Sequence, residues 1–150
     1  MSIKNDPNLL VDPKFIGIPY KLYGKTFEGA DCIGVTLLWL KSMGIEYEYD
    51  DGMGSIMEHW WVNSPKRFLD AFLKLGKIVK FPHLKKYDCL LLFGHEMSTF
   101  PSCVGTMIDD RHFIMSVPER GSFVTMLDLY WKNKVFSAIR LHKISERFGE

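Results

Sequence analysis

Apolar and polar positions change period along this chain, and the change divides it in two. Up to about residue 76 the pattern is helical. Gly29-Ala30-Asp31-Cys32 is followed by Ile33, Val35, Leu37, Leu38, Trp39 and Leu40, apolar almost all round, which predicts a helix buried on most sides. Asp31 is placed to cap it and Gly44 to stop it. Ser55–Trp61 predicts a short helix. Ser64-Pro65 opens another, with Phe68, Leu69, Phe72, Leu73 and Leu75 on one face and Gly76 as its stop. After Gly76 the pattern predicts strands at Tyr87–Phe93, Cys103–Ile108, His112–Val117, Phe123–Leu127 and Val135–Leu141, with a helical turn at Asp128–Lys132. Asp109-Asp110-Arg111 would turn the second and third of these into a hairpin. Helices first and strands afterwards predict an α+β fold, with helices packed on an antiparallel sheet of about five strands.

Composition narrows the class. The chain has 150 residues, 47% of them hydrophobic and 14% aromatic, enough for one domain with a real core. A polar arm at residues 1–13 would precede a single domain over residues 14–150. Nineteen basic residues against eighteen acidic ones, with no basic run, exclude the electrostatic footprint of a nucleic-acid binder. No apolar stretch is long enough for a membrane span, and the N-terminal residues do not read as a secretion signal. Cys32, Cys89 and Cys103 are odd in number and lack Cys-x-x-Cys spacing, which argues against a disulfide framework or a zinc site. No metal or cofactor is expected.

Cys32 carries the candidate chemistry. At the first position of a capped helix it faces the positive end of the macrodipole, where a thiol loses its proton more readily. The structural alternative is an ordinary core helix with a buried thiol. Trp60-Trp61 with Met57 reads as a satellite core or a protein contact, and Asp88 as a local cap or partner at the start of its strand.

Four pieces of sequence, in order, resemble the NlpC/P60 cysteine peptidases. Gly17-Ile-Pro-Tyr20, Gly24 and Asp31-Cys32-Ile-Gly34 resemble "G-x-P-Y … G … D-C-S-G". Tyr87–Phe93 is similar to the "G-D-hydrophobic" strand, and Val104–Ser116 to the "H-V-G-I … G-D-G-R-F-I-H-A" hairpin. Leu129-Tyr130-Trp131-Lys132 with the last strand fits the tail. The resemblance implies a papain-like α+β fold and an ancestry of cutting amide bonds in peptidoglycan peptides. It places Cys32 at the nucleophile and Tyr20 beside the reacting oxygen. It also implies that Cys103 replaces the base histidine and Met115 the third triad residue, while Ile33 stands for the usual serine.

Neither a thiol nor a thioether can do the work of imidazole in shuttling a proton near neutral pH. With the hairpin turn centred on Asp109-Asp110, Cys103 would face Met115 or Ser116, so Cys32, Cys103, Met115 and Tyr20 are expected to converge. His112 would lie roughly 20 Å from Cys103 and read as a solvated turn residue. His95 is the candidate for a substitute base, because it precedes Cys103 by one loop. Two functions follow from the resemblance. One is a structural component of a bacteriophage or phage-like tail tip, made in the host cytoplasm and carried in the virion. Its partners would be other tail-tip and hub proteins. The other is an active cysteine peptidase acting on peptidoglycan peptides through Cys32.

Overall fold

The computed structural model describes residues 6–47, 66–80, 83–94 and 99–149, without the Arg67 side chain. The expected helix at Ser55–Trp61, the Ser64-Pro65 cap and His95 lie outside these residues.

The chain first lays short 3-10 turns, Pro7–Leu10 and Pro13–Phe15, each opened by an aspartate whose carboxylate accepts a backbone N–H. Asn8 ties the first turn to the sheet by accepting the Val124 N–H at 2.9 Å. Two short strands, β1 (Lys25–Thr26) and β2 (Gly29–Ala30), pair antiparallel and deliver the chain into α1 (Cys32–Ser42). Asp31 caps α1 as expected, and Gly44 at φ +79° ends it. The second helix, α2 (Arg67–Leu75), buries Phe68, Ala71 and Phe72, while Leu73, expected on that face, is exposed. An interval of three or four residues keeps 68, 71 and 72 on one side and turns 73 away.

Six strands follow: β3 (Gly76–Val79), β4 (Cys89–Leu92), β5 (Cys103–Met107), β6 (His112–Val117), β7 (Gly121–Met126) and β8 (Val135–Leu141). They form one antiparallel sheet in the order β3-β8-β4-β5-β6-β7. The strand not expected is β3, which starts at Gly76 itself, ahead of the first strand expected at Tyr87. It pairs along the edge with β8, Gly76 opposite Leu141. A Cβ at Gly76 would collide with the Arg140 carbonyl, so only glycine allows this close approach. The turn α3 (Leu129–Lys132) is capped by Asp128. His142 opens α4 (His142–Phe148), whose Ile144 is buried and whose Phe148 stacks on Tyr87 at 5.1 Å.

The pleat sends alternate residues to two cores. Toward α1 point Cys89 and Leu91 of β4, Val104 of β5, Ile114 of β6, Val124 of β7 and Ile139 of β8, packed with Val35, Trp39 and Leu40. Trp39 meets Phe15 edge to face at 5.4 Å. The other face gathers Leu90, Leu92, Met107, Phe113, Met115 and Phe123 under Trp131. Thr36 of α1 and Thr106 of β5, both buried, share a hydrogen bond of 2.6 Å across the helix–sheet interface.

Asp88 takes a partner far away in sequence. Its carboxylate accepts Arg140 Nε and Nη2, each at 2.8 Å, and also the Lys85 N–H at 2.8 Å. The pair is buried and locks the start of β4 to the end of β8.

Candidate active site

The site is built at the head of α1. Asp31 spends both carboxylate oxygens on backbone: Oδ1 accepts the Gly34 N–H at 2.8 Å and Oδ2 the Tyr23 N–H at 2.9 Å. The first bond caps the helix. The second pulls the preceding loop onto it, with Tyr23 held at φ 65°. Gly34 makes that contact possible, since a Cβ there would run into the Gly24 carbonyl oxygen. Backbone bonds Ala30 N–H to Pro19 O (3.0 Å) and Lys21 N–H to Ala30 O (3.3 Å) then hold Tyr20 alongside the residues that lead into Cys32.

Cys32 and Cys103 meet. Cys32 lies in the core under α1, Cys103 packs against that same core, and the two thiols interact, with the Val104 N–H near Cys32 and Ser102 near Cys103. The bond to Cys103 and burial push the Cys32 thiol well up, with the Asp31 charge adding to them. The same bond, helped by Ser102 and Lys134, holds Cys103 below its usual range against the effect of its own burial. This corrects the expectation of a helix-activated Cys32. The capping carboxylate of Asp31 sits on the dipole's positive end and offsets it, and burial beside a second thiol further disfavours a charge on Cys32. The Tyr20 phenol is half-buried and pushed up, first by burial and then by Cys32, Asp31 and Cys103, so it stands within electrostatic reach of both sulfurs.

Met115 lies elsewhere. It pairs with Phe123 in the middle of β6 and is buried in the far core, whereas Ser116 points toward α1, its Oγ 3.5 Å from the Ala30 carbonyl. The hairpin register sets Thr106 opposite Ile114 and Met107 opposite Phe113, so the turn centres on Asp110 rather than between Asp109 and Asp110. Asp109 makes the longer turn by accepting the Arg111 and His112 N–H groups at 2.8 and 2.7 Å. Mid-strand, the pleat dictates which way Met115 points. Cys103 opens β5 and is packed against both cores, so its thiol reaches α1.

The described histidines stand apart from the two sulfurs. His112 is half-buried, its Nδ1 3.0 Å from Asp109 Oδ2, and not the solvated turn residue expected. His83 lends its carbonyl to Arg140, and His142 opens α4. Sequence reasoning offered Ser116 only as an alternative to Met115 opposite Cys103, and missed Ser102. Alternation signals the first once the register is known; nothing in the sequence signals the second.

The fold, an antiparallel sheet with a cysteine at the tip of the helix buried against one face, is similar to that of solved NlpC/P60 proteins. No family model and no curated protein matches the chain. Solved structures do. An NlpC/P60 family protein from Bacillus cereus ATCC 10987 is 26% identical over 85% of this chain, with a TM-score of 0.59. A lipoprotein-like NLP/P60 family protein from Staphylococcus aureus is 16% identical over 85%, with a TM-score of 0.57. The NlpC/p60 domain of the peptidoglycan hydrolase SagA is 19% identical over 86%, with a TM-score of 0.56. The chain spans only 36% and 38% of the first two proteins but 92% of the third.

Proposed function

We propose that this chain is an NlpC/P60-fold protein that keeps the nucleophile position and has lost the proton shuttle, serving as a structural component of a bacteriophage or phage-like tail tip. One observation supports the loss of chemistry: the described side chain that Cys32 interacts with at the head of α1 is the Cys103 thiol. A peptidase needs a base there that takes the proton from the nucleophile and returns it to the leaving amine. Losing such a partner costs on the order of 10⁴–10⁶ in rate, or about 5–8 kcal/mol of barrier. Tyr20 and the Cys32 N–H remain able to serve an oxyanion, which without the shuttle gives little turnover. The tail-tip role draws on the resemblance of short single-domain relatives. The virion is accordingly the proposed location and tail-tip or hub proteins the proposed partners.

The alternative is an active cysteine peptidase cleaving peptidoglycan peptides. It is favoured by the likeness to the hydrolase SagA domain and would need His95 as base. Incubation with purified muropeptides separates the two. The structural reading expects no turnover above a Cys32→Ala control. Turnover lost in both Cys32→Ala and His95→Ala would overturn it. In particles, deletion of residues 1–13 is expected to impair assembly more than Cys32→Ala does; the opposite ranking would refute the tail-tip role.

A further inference from the structure

The two sulfurs at the head of α1 form a built thiol pair for which amide hydrolysis has no use. Cys103 is the outer, half-buried thiol, and Cys32 lies behind it at 7% exposure. Cys103 packs against the core cluster that contains Cys32, and the two thiols interact. The third cysteine is placed differently. Cys89 is fully buried inside the sheet, against Thr106 and the Tyr87 carbonyl, where burial pushes its thiol up to about 12.

We propose that Cys32 and Cys103 form a reversible disulfide by exchange with small-molecule disulfides, with Cys103 as the entry thiol and Cys32 as the resolving one. The Cys103 thiolate attacks one sulfur of R–S–S–R. That bond breaks, and the departing thiolate takes a proton from water. Cys32 then gives its proton to water, and its sulfur attacks Cys103 in the mixed disulfide, expelling the second thiolate, which is protonated in turn. Two protein thiols are oxidised and one small disulfide is reduced to two thiols. The order follows from placement. Cys103 is half-buried whereas Cys32 is buried, so a small disulfide meets Cys103 first. The exchange needs no hydrolytic activity, so its test is independent of the proposed function.

The reduced full chain would be incubated with oxidised glutathione, quenched with an alkylating agent, and followed by intact mass and peptide mapping. The expected result is a mass lowered by two hydrogens and a peptide joining Cys32 to Cys103. Cys89 should be labelled only after denaturation, and dithiothreitol should reverse the change. In the native reduced protein, iodoacetamide should label Cys103 at least about tenfold faster than Cys32. Cys32→Ser should trap one glutathione on Cys103. No reaction, a link through Cys89, glutathione left on wild-type Cys103, or Cys32 labelled first would each overturn the proposal. The wild-type measurements need no variant to fold.

Discussion

Replacing Arg140 by methionine puts the tertiary lock between β4 and β8 to a quantitative test. Asp88 is 0% exposed and Arg140 6%. The guanidinium supplies two of the three hydrogen bonds to the carboxylate, and the third comes from the Lys85 N–H. Methionine fills a similar volume but leaves the carboxylate buried with one donor. Breaking a buried pair by removing one partner costs about 3–5 kcal/mol, a large part of a typical stability of roughly 5–15 kcal/mol. At about 2–4 °C per kcal/mol for a chain of this size, the melting temperature should fall by roughly 6–20 °C. Urea unfolding followed by tryptophan fluorescence should show the same loss with little change in slope. Asp88→Leu combined with Arg140→Met removes both charges and should recover most of the loss, because well-packed apolar side chains often replace a buried pair at little cost. A loss below about 1 kcal/mol in Arg140→Met, or a double variant as unstable as the sum of the singles, would refute the buried lock.

Three further perturbations address the elements that shape the site. Gly34→Ala should destabilise by about 1–3 kcal/mol and loosen the loop over α1, seen as faster Cys32 alkylation; an unchanged melting curve would contradict the close packing on Gly24. Thr106→Val should cost about 1–3 kcal/mol by orphaning the Thr36 hydroxyl, whereas Thr36→Val with Thr106→Val should be nearer to wild type; equal losses in the single and double variants would deny the bond. For Asp109, burial pushes the carboxyl up but is outweighed by the Arg111 and His112 N–H groups and the His112 ring, which hold it below its usual range. Its contribution to stability is therefore present above about pH 4 and lost as pH falls through the lower folded value. Melting curves between about pH 2 and 6 should show Asp109→Asn with a weaker acid dependence than wild type, and parallel curves would remove Asp109 from the account.

Much of the fold was legible in the residues because the relevant physics is local. Asp31 is a cap in whatever context its helix finds, so the start of α1, and with it Cys32 at the first turn, could be read directly. The apolar run behind it determined that the helix would be buried, and the switch to short apolar segments after Gly76 determined a sheet. The order of those segments placed β5 and β6 in a hairpin before any register was known. The missing strand β3 and the helix α4 had weak local signals. The first is four residues long with its middle exposed, and the second buries only Ile144 among the residues it contributes.

Tertiary structure alone decided what surrounds the cysteine. Asp88 found Arg140 fifty-two positions away because β4 and β8 are neighbours in the sheet, a pairing that no local pattern encodes. Met115 turned to the far core and Ser116 to α1 because one extra residue in the Asp109 turn moved the register. The direction of the thiol shifts was also beyond the sequence. A helix N-terminus by itself favours a thiolate at Cys32, but a cap carboxylate, burial and a second sulfur from a distant strand act over a few ångströms and outweigh it. Periodicity and capping read out each element's own preferences. Protonation and partnership depend on which elements the fold brings together.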